Sequence, residues 1–185
     1  MKTILVCNQK GGVGKSLVAD EFAFSFERSG IPVSFYDLNT QGGTLHKTHE
    51  ADGAQVAVVD TPGALQEALA DWLKEADVVV IPTRTTSRDI EPLMRMRKAV
   101  FKNGHAKIVY VMNGWNRFKA SRDFMEWFKG LAGDQTVATL PQSEAFVQAG
   151  AAGKSVVEFD RRGKAAKATL ALVGTVREAA GFPKE

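Results

Sequence analysis

The chain has little of what marks a secreted, disulfide-rich or membrane-spanning protein. One cysteine in 185 residues allows no internal disulfide and too few thiolates for an iron–sulfur or structural zinc site. The longest apolar runs, such as residues 78–81, fall far short of the ~20 residues of a membrane helix. Residues 1–7 hold four consecutive apolar residues, too few for the core of a signal peptide. We therefore expect a cytoplasmic protein without a membrane partner.

Charge is nearly balanced in total but unevenly distributed. The 24 Lys and Arg residues against 21 Asp and Glu residues give a net charge of +3. Residues 1–83 hold 6 basic and 11 acidic side chains, net −5, whereas residues 84–129 hold 11 and 4, net +7. The basic middle segment indicates either a face that meets an anionic partner or an ordinary solvated surface, and charge alone leaves both open.

The order of apolar runs predicts a single α/β domain over residues 1–185. Apolar runs without alternation predict buried parallel strands, and apolar residues spaced three or four apart predict helices between them. We expect a mainly parallel, twisted sheet with helices on both faces. The predicted strands cover residues 3–8, 31–36, 55–59, 77–81, 107–112 and 136–140, and the predicted helices cover 15–29, 65–75, 90–102, 121–131 and 164–179.

A glycine-rich loop, K-G-G-V-G-K-S at residues 10–16, separates the first strand from the first helix. Glycines let successive backbone N–H groups curl around phosphate oxygens, and the start of the helix adds its dipole. Lys15 is placed to reach the β- and γ-phosphates, and the Ser16 hydroxyl suits Mg²⁺. The loop predicts a P-loop protein that binds a nucleoside triphosphate. The predicted nucleotide-binding residues here are Lys10, Gly11, Gly12, Val13, Gly14, Lys15, Ser16 and Leu17.

Two aspartates follow predicted strands. Asp37 ends the second strand and Asp60 the third. Because ligands bind beyond the carboxyl ends of parallel strands, we expect both carboxylates near the glycine loop. There they would hold Mg²⁺ directly or through its waters. The alternative for each is a cap on the turn that follows.

Several motifs in sequence order resemble the deviant Walker A ATPases of the ParA/MinD family. The loop has a lysine before its glycine pair and Gln9 where the standard loop has its first glycine. Residues 35–42, F-Y-D-L-N-T-Q-G, are similar to the family's D-L-D-P-Q-G stretch, and residues 56–63, V-A-V-V-D-T-P-G, to its Walker B stretch. Residues 140–163 are similar to its C-terminal I-P, S-E-A, G-K and D-x-x-x-R-G pattern. The chain looks most like a short ParA-type member without an N-terminal helix-turn-helix domain.

The resemblance implies an ATP- and Mg²⁺-dependent homodimer that binds double-stranded DNA without sequence preference. Such a protein segregates or positions a plasmid, chromosome or other cargo with a ParB-like adaptor, and is nucleoid-associated when ATP-bound. By the same resemblance, Lys10 reaches the partner's phosphates across the dimer, and Asn113 and Pro141 contact the nucleotide. The implied DNA-binding residues are Arg84, Arg88, Arg161, Arg162 and Lys164.

Two features depart from the family pattern. Asn39 stands where the family usually has an aspartate that orients the attacking water. An amide holds a water but accepts no proton, so we expect slow hydrolysis and a long-lived ATP-bound dimer. Only 22 residues separate Asp37 from Asp60, which is short for the family. The predicted catalytic residues are Lys10, Lys15, Asp37 and Asn39.

Two other functions stay open on the sequence. The first is a nucleotide-gated scaffold with negligible hydrolysis, which Asn39 favours. The second is a P-loop ligase of the dethiobiotin-synthetase type, which would share the fold but needs a substrate pocket.

Overall fold

The computed structural model of the protein describes residues 1–39, 42–63 and 67–185. Within these residues six strands form one sheet in the order β2-β3-β1-β4-β5-β6, and every neighbouring pair is parallel. The predicted fold class is therefore confirmed. The strands are β1 (Lys2–Val6), β2 (Val33–Asp37), β3 (Val56–Asp60), β4 (Val78–Thr83), β5 (Lys107–Trp115) and β6 (Thr136–Pro141). The helices are α1 (Lys15–Arg28), α2 (Glu67–Glu75), α3 (Ser87–Asn103), α4 (Lys119–Ala132), α5 (Glu144–Ala151), α6 (Val156–Phe159) and α7 (Lys164–Ala180).

Helices cover both faces of the sheet, which explains why the strands do not alternate between apolar and polar residues. In β4, Val78 and Val80 pack into a core with α1 and α7. Val79 and Ile81 pack into a second core with α2, α3 and α4. All four side chains have 0% exposure, so each position of the strand has to be apolar.

The structure changes some of the predicted boundaries. The predicted helix 65–75 corresponds to α2, with residues 65 and 66 outside the described residues. The predicted helix 90–102 begins at Ser87 and continues through Pro92. Helices α5 and α6 were not predicted, because eight and four residues are too few to show a clear helical period. Each is preceded by a capping serine, Ser143 or Ser155, whose side chain accepts a hydrogen bond from a backbone N–H two residues later.

The orientation of α7 follows from a contact at its end. Lys107 begins β5 and donates from Nζ to the carbonyl oxygen of Ala179 at 3.0 Å. The end of α7 therefore lies at the amino edge of the sheet. Its 17 residues extend about 25 Å toward the opposite edge. No helix in the described ranges combines the length and apolar character that crossing a bilayer requires.

Candidate functional site

The glycine loop joins β1 to α1 at the carboxyl edge of the sheet. Gly12 and Gly14 have φ angles of +71° and +95°, a left-handed region that favours glycine. The carbonyl oxygen of Gly14 accepts the first helical hydrogen bond of α1, from the Val18 N–H at 3.1 Å. Gly14 also lies against Asn113, because a Cβ at position 14 would be 2.0 Å from Asn113 Nδ2. The backbone thus has the curled shape that surrounds an anion with N–H groups.

Lys15 is folded back over this loop. Lys15 is 8% exposed, and its Nζ donates to the carbonyl oxygen of Lys10 at 3.3 Å. Burial lowers the pKa of the Lys15 ammonium, and the charge of Asp60 opposes that shift. A partly desolvated cation with a single long hydrogen bond to the loop is well suited to exchange that carbonyl for a phosphate oxygen.

Ser16 and Asp60 form a pair directly below the loop. The Ser16 hydroxyl donates to Asp60 Oδ2 at 2.7 Å. Asp60 has 0% exposure, and among the residues that the structure describes, no hydrogen-bond donor reaches its Oδ1. Burial raises the pKa of the Asp60 carboxyl to about 6, against the opposing Ser16 hydrogen bond and Lys15 charge. A buried carboxylate oxygen without a donor, next to a hydroxyl, fits a hard cation such as Mg²⁺.

Asp37 lies on the neighbouring strand, opposite Asp60 in the register of β2 and β3. Its Oδ1 accepts from the Asn39 N–H at 2.9 Å, and its Oδ2 accepts from the Thr44 hydroxyl at 2.6 Å. Asp37 therefore shapes the turn that follows β2 while its charge stays near Asp60. This arrangement favours contact with a cation through water over direct ligation.

Asn39 belongs to the same turn. Its side-chain Nδ2 donates to the carbonyl oxygen of Gly42 at 3.0 Å. The motif residues Thr40 and Gln41 lie outside the described residues. The structure thus brings the Asn39 turn to the carboxyl edge of the sheet, beside the strand end that carries Asp60.

Lys10 contacts the start of α3 in its own chain. Its Nζ lies 2.6 Å from Asp89 Oδ1 and donates to the carbonyl oxygen of Arg88 at 3.3 Å. Proline has no N–H, so Pro92 gives that carbonyl no helical hydrogen bond and leaves it available to Lys10. Asp89 is 1% exposed, and its other carboxylate oxygen, Oδ2, accepts a hydrogen bond from the Thr86 hydroxyl. The sequence analysis did not identify Asp89 as a partner of Lys10. The free carbonyl of Arg88 could have been expected, because a proline lies four residues later.

Asn113 lies two residues before the end of β5, and Pro141 ends β6. Asn113 is 6% exposed, and its Nδ2 donates to the carbonyl oxygen of Val13 at 2.8 Å. In this structure the Asn113 amide therefore holds the glycine loop in place. Pro141 pairs with Trp115 across the two strands and is half-buried, as is Leu17 in the first turn of α1.

The cations predicted to bind DNA occupy two places. Arg161, Arg162 and Lys164 are exposed around the beginning of α7, the end that points toward the carboxyl edge. Arg84 and Arg88 are exposed after β4 and at the start of α3. Arg84 extends to the glycine loop, where its Nη2 lies 3.4 Å from the carbonyl oxygen of Gly12.

Residues 42–50 are anchored to α1 by contacts that the sequence did not reveal. Asp20 accepts backbone N–H groups from residues 45 and 46 at 2.9 and 3.0 Å. The His46 ring lies with Nδ1 2.8 Å from Asp20 Oδ1 and Nε2 3.3 Å from Glu27 Oε2. Burial opposes the charge of His46, but hydrogen bonds to the two carboxylates outweigh it and raise the pKa. This anchor positions Thr44, which donates to Asp37.

The fold and the glycine loop define the class: this is a P-loop protein with a parallel α/β sheet. Residues 4–156 match the family described as the CobQ/CobB/MinD/ParA nucleotide binding domain (CbiA), and the chain belongs to that family. The resemblance drawn from the motifs is thereby confirmed.

Two curated relatives match parts of the chain. Protein ParA of Rhizobium radiobacter is 26% identical over 48% of this chain and 51% of its own length. Protein IncC of Escherichia coli is 48% identical over 46 residues, which are 25% of this chain and 13% of IncC. The chain spans about half of the length of the first relative and much less of the second.

Solved structures match nearly the whole chain. An ATP complex of a McdA variant from Cyanothece has a TM-score of 0.82 at 16% identity, covering 100% of this chain and 98% of McdA. The septum site-determining protein MinD of Pyrococcus horikoshii, with Mg-ADP, has a TM-score of 0.74 at 16% identity and covers 97% of each chain. Cobyrinic acid a,c-diamide synthase of Mycobacterium smegmatis, with ADP and magnesium, has a TM-score of 0.72 at 15% identity over 99% of this chain and 98% of its own. At these identities the likeness concerns the fold alone.

Proposed function

We propose that residues 1–185 form one ATPase domain that works as a nucleotide-dependent switch. In this proposal ATP and Mg²⁺ bind at the glycine loop, two ATP-bound copies dimerise, and the dimer binds DNA and positions or segregates a cargo with an adaptor protein. The observation that carries the proposal is the Ser16–Asp60 pair beneath a loop that holds Lys15, in a chain of the ParA and MinD family.

The donor set supports Mg²⁺ with a triphosphate. Ser16 and Asp60 would hold the cation, and Asp37 would contact it through water. Mg²⁺ held by these residues would supply positive charge that neutralises the phosphates. The chain's own part is to orient the nucleotide. The loop N–H groups and Lys15 would fix the phosphates, and Leu17, Asn113 and Pro141 would contact the nucleotide. The ATP and ADP held by the solved relatives favour an adenine nucleotide.

Dimerisation requires Lys10 to leave its present partner. Its side chain is 32% exposed, and Asp89 and the Arg88 carbonyl hold it in its own chain. We propose that Lys10 exchanges these contacts for the phosphates of a second copy. Because two ATP-bound loops face each other in such a dimer, the exposed glycines Gly11 and Gly12 would lie at the interface.

Hydrolysis is proposed to be slow. Asn39 donates to Gly42 and can position a water, but its amide accepts no proton. Positioning contributes most of the catalysis of phosphoryl transfer, so the reaction slows without stopping. A long-lived ATP-bound dimer is the result that a positioning switch needs.

DNA binding is proposed for the cations near the carboxyl edge. Arg161, Arg162 and Lys164 are exposed at the start of α7, and Arg88 is exposed on α3. Exposed lysines and arginines neutralise phosphates without reading bases, so binding should be insensitive to sequence and strongly weakened by salt. The ATP-bound protein would then associate with the nucleoid in the cytoplasm.

The test combines nucleotide binding, dimer formation and turnover on the purified chain. We expect Lys15→Ala to abolish ATP binding, since the loop loses its only buried cation among the residues described. We expect Lys10→Ala to retain ATP binding but to lose ATP-dependent dimers in light scattering. Lys98→Ala, which removes an exposed lysine from α3, is the matched control. Dimerisation of Lys10→Ala at the wild-type level would refute the role of Lys10 in a second copy.

Turnover separates this function from its two alternatives. ATP hydrolysis that rises with duplex DNA and a candidate adaptor supports the switch. Tight ATP retention without turnover under every condition supports a nucleotide-gated scaffold, which Asn39 favours. Turnover only with a small carboxylic or amine substrate supports a ligase, a class with a solved relative of the same fold.

A further inference from the structure

Arg84 differs from the other exposed cations because the fold holds it at the mouth of the glycine loop. It directly follows β4, which pairs with β1, the strand that leads into the loop. Asn8 Nδ2 donates to the carbonyl oxygen of Pro82 at 2.7 Å, and this buried bond holds the two strand ends together. The start of the Arg84 side chain is therefore fixed beside the loop.

The guanidinium lies between two glycines. Its Nη2 is 3.4 Å from the carbonyl oxygen of Gly12. On the other side, a Cβ at Gly114 would be 2.9 Å from Nη1 and 3.6 Å from Cζ. Gly114 has a φ of +71°, a backbone conformation that favours glycine. The close approach of Arg84 also leaves little room for a Cβ at this position. Arg84 thus lies between the phosphate loop and the strand that carries Asn113.

No carboxylate in the described part of the chain forms an ion pair with Arg84, in contrast to Lys10 and Arg95. Lys10 pairs with Asp89 at 2.6 Å, and Arg95 pairs with Glu91 at 2.7 Å. Within the described ranges Arg84 makes one hydrogen bond, to the Gly12 carbonyl oxygen, and it is long at 3.4 Å. A guanidinium has five N–H donors. The charge at this position is therefore suited to an anion that the chain itself does not supply.

We propose that Arg84 binds a phosphate group of a nucleotide at the glycine loop. This inference rests on the proposed function and places Arg84 in the nucleotide site, apart from the DNA-binding cations. A planar guanidinium can donate two parallel hydrogen bonds to one phosphate. The phosphate belongs to the nucleotide of the same chain or to that of a second copy facing the loop, and the two sources give different results.

The experiment titrates a fluorescent N-methylanthraniloyl ATP with Mg²⁺ into wild-type chain, Arg84→Gln, Arg84→Lys and the control Arg122→Gln. Arg122 is exposed on α4 and matches the loss of charge. Titration at protein concentrations below dimer formation isolates the chain's own nucleotide, and light scattering with ATP then measures dimerisation. Thermal melts show that each variant is folded, and Arg84→Lys provides the comparison if Arg84→Gln is not.

If the phosphate belongs to the same chain, Arg84→Gln weakens analogue binding about tenfold, the usual worth of a charge-assisted hydrogen bond. If it belongs to a second copy, Arg84→Gln binds the analogue as wild type does at protein concentrations too low for dimers. About tenfold more protein is then needed to form dimers with ATP. In both cases Arg84→Lys falls between wild type and Arg84→Gln, because charge is kept and the fork geometry is lost. If Arg84 only shapes the loop, Arg84→Lys and Arg84→Gln should behave alike, because either side chain can donate a hydrogen bond to the Gly12 carbonyl oxygen.

Arg84→Gln that matches Arg122→Gln in both measurements overturns the inference and leaves the proposed function intact. A variant that loses only ATP-dependent binding to duplex DNA also overturns it and assigns Arg84 to the DNA-binding cations. Failure of the wild-type chain to bind the analogue removes the proposed function and the inference together.

Discussion

The contact between Gly14 and Asn113 leads to a sharp prediction about stability. Gly14→Ala places a methyl group where Asn113 Nδ2 now lies, 2.0 Å from the ideal Cβ position. Asn113 has to move, and its hydrogen bond to the buried loop carbonyl of Val13 is lost at a cost of about 1–3 kcal/mol. The left-handed φ of +95° adds about 1–2 kcal/mol of backbone strain for any residue with a Cβ.

The expected loss for Gly14→Ala is therefore about 2–5 kcal/mol of unfolding free energy. For a chain of this size that lowers the melting temperature by roughly 2–4 °C per kcal/mol. Chemical denaturation followed by circular dichroism measures the free energy, and titration of an ATP analogue should show that binding is lost with the loop geometry. Gly30→Ala is the matched control, because Gly30 has a φ of +66° with no atom within 4 Å of the added Cβ. It should cost only the strain, about 1–2 kcal/mol.

A double variant isolates the steric part. Asn113→Ala removes the atoms that the new methyl group meets, so Gly14→Ala combined with Asn113→Ala should cost less than the sum of the two single changes. Equal losses for Gly14→Ala and Gly30→Ala, or strict additivity in the double variant, would refute the reasoning.

Two further predictions concern the loop after β2. Asn39→Asp supplies a carboxylate that can accept a proton, so single-turnover ATP hydrolysis should rise by up to about 100-fold; equal or slower hydrolysis would show that residue 39 does not contact the attacking water. The raised pKa of His46 means that the imidazole binds its proton more tightly in the folded chain than in the unfolded chain. Protonated His46 therefore stabilises the fold below the ordinary histidine pKa, and this stabilisation is lost as pH rises through the folded pKa. Compared with His46→Gln, wild type should therefore gain melting temperature at a pH below about 6.5, the ordinary histidine pKa, and lose that gain as pH rises above the folded value. A difference between the two proteins that is independent of pH would contradict the assignment.

The main features of the fold followed from the sequence because they depend on local patterns. Residues 56–59 and 78–81 are apolar without alternation, and that pattern occurs in strands buried on both faces. The helices α5 and α6 were missed because their length gives too little periodicity. The start of α3 was predicted three residues too late, because the apolar spacing begins only at Ile90 whereas the helix begins at Ser87.

The site was predictable where its residues are contiguous and incomplete where partners come from distant segments. Lys15 and Ser16 were expected at the loop from their spacing alone. The ion pair of Lys10 with Asp89 and the approach of Arg84 to Gly12 were not. Both depend on β4 lying next to β1, which the sequence did not reveal. The family resemblance implied a DNA-binding role for Arg84, and that role stays a prediction.

The sequence by itself determined the curled glycine loop, because glycine conformation and the start of a helix are properties of neighbouring residues. Only the tertiary structure decided which side chains complete that loop. Ser16 meets Asp60 across a separation of 44 residues, and Asn113 meets Val13 across 100. Those contacts exist because the sheet places β3 on one side of β1 and β4, followed by β5, on the other. Strand order is a result of packing that no local propensity encodes.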